Sequence, residues 1–257
     1  MTIEFDLAGR RALVTGSGQG VGRAIALSLA GAGAEVLVND VRDERAREVV
    51  EEIAAAGGAA ARAVFDVTDF AAVCSAVDTN GGVDILVNNA GNAGTSSQFG
   101  LVRFVDTEPA DWQPFLQVNL YGVMHCTRAA LPRMIERRWG RVITIVSDAG
   151  RVGGARLAAY SAAKAGAAAL TRSVALENGR HGITANNVSL GTMGALGAEG
   201  ASDEPDPHLE SLLRSYAVRR VGSPADVAPL VLLLASEHGA WITGQTYPVN
   251  GGFSFAL

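Results

Sequence analysis

The chain has 257 residues, of which 48% are hydrophobic and 18% are charged, a balance that is typical of a folded globular protein and excludes a disordered one. Its net charge of -5 disfavours nucleic acid as a partner, and the lack of an apolar run of roughly 18 residues predicts no membrane partner. Cys74 and Cys126 offer neither a disulfide framework nor a metal-binding spacing. We therefore expect a cytoplasmic protein that binds no metal.

Short runs of β-branched residues alternate with longer segments of helical period. This alternation predicts one α/β domain with a doubly wound parallel sheet. Seven strands are predicted, over residues 11–15, 35–39, 60–65, 83–88, 141–146, 183–189 and 245–249. Helices are predicted over residues 20–32, 43–56, 68–77, 109–137, 157–178 and 224–236. Ser223 is expected to cap the last helix, and Pro229 to bend its first turn.

A composition shift follows the sixth strand, where residues 191–208 are rich in Gly, Ala, Pro and acidic residues. Ligands of a doubly wound sheet bind outside the carboxyl ends of its strands. The segment is therefore placed to form a substrate lid over about residues 191–216. A plain surface loop is an equally good interpretation of its composition.

A glycine-rich turn, TGSGQGVG at residues 15–22, directly follows the first strand and precedes a helix. Glycine lets the backbone approach a pyrophosphate closely, and the free amides of the helix start attract its charge. The spacing fits GxxxGxG and not GxGxxG. We interpret the turn as a dinucleotide site, with an ordinary turn as the alternative. The residues assigned to the cofactor in this turn are Gly16, Gln19, Gly20, Val21 and Gly22.

Asp40 ends the second predicted strand, about 20 residues beyond the glycine turn. A carboxylate there can accept hydrogen bonds from the adenosine ribose hydroxyls, and it repels a 2'-phosphate. Asp40 therefore predicts NAD over NADP as the cofactor, although the neighbouring Arg42 weakens this preference. A turn or cap role before the next helix is the alternative for Asp40.

Tyr160 and Lys164 lie four residues apart in an Ala-rich helical segment, so both side chains project from one face. Lys164 is the single lysine among 21 basic residues, which favours a catalytic pair over a surface tyrosine near a solvated lysine. An adjacent ammonium and an oxidised nicotinamide both favour phenolate in a tyrosine whose ordinary pKa is about 10. Tyr160 is thus predicted as general base for alcohol oxidation and general acid for carbonyl reduction.

Ser147 stands just after the predicted strand at 141–146, at the carboxyl edge of the sheet. Its hydroxyl can donate to a substrate oxygen as negative charge develops there. Taken alone, a serine after a strand is more often a cap or turn residue. The absence of GxSxG from the sequence disfavours a serine hydrolase.

Further motifs complete the pattern: Asp66-Val67, NNAG at 88–91, VNLYG at 118–122, YSAAK at 160–164 and the closing ITGQTYPVNGG. With these motifs the chain resembles the single-domain short-chain dehydrogenase/reductases over nearly its whole length. The resemblance implies a Rossmann-type sheet with strand order 3-2-1-4-5-6-7, hydride transfer at C4 of the nicotinamide, and a homotetramer or homodimer.

The resemblance also assigns residues that spacing does not reveal. Asn119 would join Ser147, Tyr160 and Lys164 in catalysis by holding a water that relays protons from the lysine, which would also bind the nicotinamide ribose. The further cofactor residues that the resemblance implies are Asp66, Val67, Asn89, Ala90, Gly91, Gly191 and Met193. The sequence departs from the family at Leu190, where proline is usual, at Ala195, where threonine is often found, and at Asp148, which brings a charge next to Ser147.

These features predict an NAD-dependent oxidoreductase that interconverts a secondary alcohol and a ketone. A reductase or dehydrogenase of 3-oxoacyl or 3-hydroxyacyl thioesters is an alternative within the same family. A dinucleotide-binding sensor without turnover is an alternative from another class, and a nucleotide-sugar epimerase or dehydratase ranks third.

Arg103, Arg151 and Arg156 could receive a carboxylate or a coenzyme phosphate, but in so arginine-rich a chain solvated surface positions are favoured. The stretch from Asn92 to Trp112 looks long for the family, which would alter the pocket rim.

Overall fold

The computed structural model describes residues 4–92, 102–194 and 213–255. Its centre is one parallel sheet of seven strands in the order β3-β2-β1-β4-β5-β6-β7, which confirms the predicted fold class and strand order. The strands are β1 Arg11–Val14, β2 Glu35–Asp40, β3 Ala59–Val64, β4 Ile85–Asn88, β5 Gly140–Ser147, β6 Ile183–Leu190 and β7 Thr246–Val249.

Helices cover both faces of the sheet, as a parallel sheet requires. They are α1 Gly20–Gly31, α2 Asp43–Ala55, α3 Phe70–Thr79, α4 Pro109–Leu116, α5 Gly122–Arg137, α6 Ala149–Val152, α7 Ala158–Asn178 and α8 Pro224–Ala235. The helix predicted over 109–137 is interrupted by a π-helical turn, Gln117–Tyr121, and the short α6 was not predicted. Ser223 is the N-cap of α8 and forms a capping box with Asp226, as expected, and Pro229 lies inside this helix without ending it.

The core consists of two apolar layers, one on each side of the sheet. Val14, Val36 and Ile143 pack on one side with α1 and α8, while Leu13 and Leu37 pack on the other with α3 and α5. Neighbouring residues of one strand therefore belong to different layers, because successive side chains of a strand point to opposite faces. Both faces are buried, which explains why the central strands are almost continuously apolar in sequence.

The carboxyl ends of β1, β4, β5 and β6 meet at one edge of the sheet, where parallel strands leave room for a ligand.

No helix in the described residues is long and apolar enough to cross a membrane. Within the same residues, no group of three or more His, Cys, Asp or Glu side chains is arranged to hold a metal ion. Most of the expected lid, residues 195–212 including Ala195, lies outside the described residues, as does part of the 92–112 rim.

Candidate active site

The glycine turn joins the end of β1 to the start of α1 and is tied to the end of β4. The Thr15 hydroxyl accepts hydrogen bonds from the backbone amides of Asn89 and Ala90, both at 3.0 Å. The Asn89 side chain donates back to the carbonyls of Thr15 and Gly16, at 2.9 and 3.0 Å. These reciprocal bonds fix the turn against the NNAG segment, so the two motifs form one wall.

Two of the glycines in the turn illustrate why the backbone requires glycine there. Gly20 has a φ of 57°, a left-handed conformation that side chains disfavour. A Cβ added at Gly22 would stand 2.4 Å from the Gly16 carbonyl oxygen and 2.5 Å from Asn89 Nδ2. The start of α1 can therefore lie this close to the turn only without a side chain at this position.

A cleft of about 500 Å³ lies between the glycine turn and the ends of β2 and β4. Eleven of the residues predicted for the cofactor line it: Gly16, Gln19, Gly20, Val21, Gly22, Asp40, Asp66, Val67, Asn89, Ala90 and Gly91. The same cleft is also lined by six residues that were not predicted: Asn39, Val41, Arg45, Phe65, Asn92 and Val118. Their places depend on how α2, β3 and the π-helical turn pack, and no local motif marks them.

Asp40 is buried at the end of β2 and uses its two carboxylate oxygens differently. Oδ1 accepts a hydrogen bond of 3.0 Å from the amide of Arg42, as a turn residue would. Oδ2 faces the glycine turn, where it would lie 2.6 Å from a Cβ added at Gly18. The turn role and a ligand-facing role are therefore compatible in this one side chain.

A second cleft, of about 230 Å³, adjoins the first at the ends of β5 and β6. It brings together all four predicted catalytic residues and the two remaining cofactor positions: Asn119, Ser147, Tyr160, Lys164, Gly191 and Met193. Val21, Asn89, Gly91 and Asn92 line both clefts. The two clefts are thus continuous, and a ligand with two ends could occupy both.

Tyr160 lies in the first turn of α7 and faces Ser147, the last residue of β5. The Phe115 ring meets the Tyr160 ring edge-on, with 6.4 Å between centroids. Burial raises the pKa of Tyr160 above its ordinary value, and the hydrogen bond with Ser147 opposes this rise. The direction is opposite to that expected from an adjacent ammonium, because desolvation of the phenolate outweighs the opposing interactions.

Lys164 is buried one turn further along α7, and its Nζ lies 6.0 Å from the centre of the Tyr160 ring. The ammonium donates a hydrogen bond of 3.0 Å to the carbonyl of Ile145 in β5. Burial lowers the pKa of Lys164 from 10.5 to about 8. The side chain is therefore still charged at neutral pH, although its environment disfavours the charge.

Asn119 is fully buried in the π-helical turn and forms a reciprocal pair with Asn92. Its Nδ2 donates to the Asn92 side chain at 2.8 Å, and its Oδ1 accepts from the Asn92 amide at 3.3 Å. A Cβ added at Gly91 would lie 2.8 Å from Asn119 Oδ1 and 3.2 Å from Lys164 Nζ. Asn119 Oδ1 and Lys164 Nζ therefore both lie close to the backbone at Gly91.

Two of the three arginines considered for substrate binding have partners among the residues that the structure describes. Arg103 pairs with Asp106 at 2.7 Å, and Arg151 pairs with Asp148 at 3.1 Å and donates to the Phe255 carbonyl at 2.7 Å. Arg156 is exposed, with a φ of 66°. The charge expected from Asp148 beside Ser147 is compensated by Arg151 and buried.

The known proteins to which this chain is similar are dehydrogenases and reductases. The family model described as enoyl-(acyl carrier protein) reductase matches residues 16–254. The chain is 38% identical over 254 residues to subunit BbsD of (2S)-[(R)-hydroxy(phenyl)methyl]succinyl-CoA dehydrogenase from Thauera aromatica, covering 97% of this chain and 98% of the relative.

Two solved structures extend the comparison to cofactors. Gluconate 5-dehydrogenase from Burkholderia cenocepacia, in complex with NADP and tartrate, has a TM-score of 0.88 and 34% identity, covering 99% of this chain and 98% of the other. A 3-oxoacyl-(acyl carrier protein) reductase from Brucella melitensis with bound NAD has a TM-score of 0.89 and 29% identity, covering 98% and 94%. The similar structures thus include both dinucleotides.

Proposed function

The chain belongs to the short-chain dehydrogenase/reductase family of oxidoreductases, and from this premise we propose that it is an NAD-dependent enzyme that interconverts a secondary alcohol and a ketone. The observation that carries the proposal is the meeting of Ser147, Tyr160 and Lys164 in one cleft. This cleft opens into the larger one lined by the glycine turn. A proton carrier therefore lies beside a site shaped for a dinucleotide.

The residues of the larger cleft fit a nicotinamide dinucleotide. The cleft is lined by Gln19, Gly20, Val21 and Gly22 at the start of α1, where the first amides of a helix can bind a pyrophosphate, and Asp40 Oδ2 is free of the turn bond that Oδ1 makes. When bound, the nicotinamide supplies or accepts the hydride. Lys164 would hold its ribose, and backbone near Gly191 and Met193 would hold its carboxamide end.

Tyr160 moves the proton in this proposal. During reduction its hydroxyl donates to the substrate oxygen, while Ser147 donates a second hydrogen bond to the same oxygen. The raised pKa keeps Tyr160 protonated at neutral pH, which is the form that reduction needs. During oxidation Tyr160 must be a phenolate, and the Lys164 ammonium stabilises this charge. Asn119, whose Oδ1 faces the same point as Lys164 Nζ, would hold the water that relays the proton to solvent.

A second candidate for the substrate is a 3-oxoacyl or 3-hydroxyacyl thioester. The similar proteins support it, since one is named as a subunit of a (hydroxy(phenyl)methyl)succinyl-CoA dehydrogenase and another is a 3-oxoacyl-(acyl carrier protein) reductase. The reacting group would again be a secondary alcohol or a ketone. Ser147 and Tyr160 would therefore act in the same way, and only the contacts to the thioester end would differ.

We also propose a cytoplasmic homotetramer or homodimer, and a lid over about residues 191–216. The family resemblance supports the assembly. The position of residues 191–194 directly after β6, with Gly191 and Met193 lining the catalytic cleft, supports the lid. In this proposal the lid closes over the substrate and excludes water.

The reaction is tested by following the nicotinamide absorbance with a panel of secondary alcohols, ketones and 3-oxoacyl thioesters. Wild type is expected to turn over at least one of them, and Tyr160→Phe to lower kcat by about 10²–10⁴-fold, because the proton carrier is lost. Its dinucleotide affinity should change little, since the ring remains. Tyr247→Phe, which removes a hydroxyl from β7, is the matched control. Dinucleotide binding without turnover by any member would favour a sensor.

The cofactor preference is tested with Asp40→Ala assayed with both dinucleotides. Loss of the carboxylate should weaken NAD binding by about 10–100-fold, as expected for hydrogen bonds to a charged group, and should relieve the repulsion of a 2'-phosphate. Arg45 in the same cleft would then favour NADP. Asp43→Ala is the control, because this carboxylate is exposed and pairs with Arg62. A wild type that strongly prefers NADP would overturn the NAD assignment.

A further inference from the structure

Asp148, the residue after Ser147, carries a carboxylate that is buried and fully hydrogen-bonded. Its residue is only 3% exposed. Oδ1 accepts from the Ser189 hydroxyl at 2.7 Å and from Arg151 at 3.1 Å. Oδ2 accepts from Asn250 Nδ2 at 2.6 Å and from the Ser254 hydroxyl at 2.9 Å. All four partners donate, and each oxygen has one partner that can only donate, Arg151 on Oδ1 and Asn250 Nδ2 on Oδ2, so the arrangement favours an acceptor with two oxygens.

The four donors come from three parts of the chain that are distant in sequence. Ser189 lies near the end of β6, Arg151 lies in α6, and Asn250 and Ser254 belong to the segment that follows β7. We call residues 250–255 the C-terminal segment. Arg151 reinforces the junction, since its guanidinium also donates to the Ser254 hydroxyl at 3.0 Å. The hydrogen bonds of Asp148 thus hold the C-terminal segment across the ends of β5 and β6, and we call this set of bonds the clamp.

The C-terminal segment packs against the backbone that lines the catalytic cleft. A Cβ added at Gly191 would stand 3.0 Å from Asn250 Cα and 3.2 Å from Tyr216 Cε1, so these two residues pack directly against Gly191. The Asp148 amide also donates to the Leu190 carbonyl at 3.0 Å. On the other side of Asp148, the Ser147 hydroxyl accepts from the amide of Ala149 at 3.2 Å.

We propose that Asp148 is a positioning residue for the reaction, which sets Ser147 and the Gly191 backbone by clamping the C-terminal segment. The inference rests on the proposed function, since it concerns the cleft in which we place the substrate and the nicotinamide. Asp148 touches neither of them in this proposal. Its effect on turnover is indirect and comes from the geometry of the residues it holds.

The requirement for a carboxylate makes the proposal specific. In Asp148→Asn an amide of nearly the same shape would bring its NH₂ hydrogens against a group that can only donate, Arg151 on one side or Asn250 Nδ2 on the other. The Asn250 side-chain amide cannot flip to present its oxygen to the new NH₂ group, because Asn250 Oδ1 already accepts from the Gly252 amide at 3.0 Å. The variant would also leave Arg151 without its anionic partner. The clamp should therefore open even though the volume of the side chain is unchanged.

Asp84→Asn is a matched control for the loss of a buried carboxylate. Asp84 is also 3% exposed, pairs with Arg137 at 2.6 Å and accepts from the Arg11 amide at 2.9 Å. It precedes β4, at the edge of the sheet opposite the clefts. Both variants should lower the Tm, but only Asp148→Asn should disturb the ends of β5 and β6, where the catalytic cleft lies. Ser254→Ala is a milder second variant, since it removes one donor and keeps the buried charge.

The test measures kcat, Tm and amide hydrogen exchange for wild type and the three variants, well below their melting temperatures. We expect Asp148→Asn to lower kcat by at least about tenfold, as small displacements in an active site do, and Ser254→Ala to lower it less. Asp84→Asn should keep kcat near wild type. In Asp148→Asn the amides of Gly191 and Gly252 should exchange faster, which they should not do in Asp84→Asn.

The outcomes separate this inference from the proposed function. Equal kcat values for Asp148→Asn and Asp84→Asn would overturn the positioning role. Unchanged exchange at Gly191 and Gly252 in Asp148→Asn would also overturn the clamp, and this measurement needs no substrate. A wild type without turnover on the whole panel would contradict the proposed function instead.

Discussion

Lys164 shows how a single residue can be costly to the fold and useful to the site. Its ammonium is buried in α7, where it donates to the Ile145 carbonyl, and burial lowers its pKa from 10.5 to about 8 because it disfavours the charge. At roughly 1.4 kcal/mol per pKa unit, this corresponds to about 3 kcal/mol. A group that opposes folding in this way is typical of a functional site.

Lys164→Met should therefore stabilise the protein while it weakens turnover and dinucleotide binding. Part of the gain is lost because the Ile145 carbonyl loses its donor, so we expect a net gain of about 1–2 kcal/mol. The Tm at pH 7 should rise by about 3–6 °C for a chain of this size. Calorimetry and a dinucleotide titration measure the two effects. Arg172→Met, in an exposed part of the same helix, should change neither.

The pH dependence of this difference has a definite sign. Between pH 8 and 10.5 the unfolded chain keeps the proton that folded Lys164 has lost, so the unfolded state binds more protons and stability rises with pH. The penalty is complete below pH 8 and disappears as the pH approaches 10.5. The Tm advantage of Lys164→Met should shrink across this window. A constant advantage from pH 7 to 10.5 would contradict the burial of a charged lysine.

At the scale of elements, α1 and its preceding turn show how close packing fixes a binding surface. Gly22 lies where the first turn of α1 crosses the Gly16 carbonyl and the Asn89 side chain. Gly31 lies at the other end of the same helix, where a Cβ would meet nothing within 4 Å. One helix therefore contains a glycine that its neighbours require and one that they do not.

Gly22→Ala should displace the glycine turn and weaken dinucleotide binding about tenfold or more, because the added Cβ meets backbone and a hydrogen-bonded amide. Overpacking of this kind costs about 1–3 kcal/mol of stability. Gly31→Ala should keep the affinity and stabilise the helix by about 0.5 kcal/mol. Isothermal titration and thermal unfolding measure both effects. Equal affinities for the two variants would show that the turn does not hold the dinucleotide.

The molecule as a whole exposes large apolar side chains that a single chain leaves in water. Leu176, near the end of α7, is 88% exposed, and Trp241, shortly after α8, is 99% exposed. Both lie away from the clefts, since neither lines them. Exposed side chains of this size are consistent with the proposed assembly of two or four copies.

Sedimentation at micromolar concentration should therefore give a mass of about two or four times 26.5 kDa. The apolar side chains would then be covered by other copies. The same measurement with saturating dinucleotide shows whether ligand binding changes the assembly. A single species with the mass of one chain under both conditions would contradict the proposed oligomer.

The strand order followed from the resemblance to a known family, whereas the amino-acid sequence by itself determined the central strands and predicted the glycine turn, Tyr160 and Lys164 as parts of the site. Each of the latter depends on local signals: apolar runs for the central strands, the glycine turn between a strand and a helix, and the spacing of Tyr160 and Lys164 on one helix face. Such signals survive without tertiary information because they reflect backbone geometry over a few residues.

Only the tertiary structure decided how these parts act on one another. Asn119 in the π-helical turn pairs with Asn92, 27 residues away. The raised pKa of Tyr160 depends on burial, which periodicity does not measure. The partners of Asp148 lie up to 106 residues away, so sequence showed a charge beside Ser147 but not the clamp. Burial and long-range hydrogen bonds are properties of packed elements, and they exist only once the chain has folded.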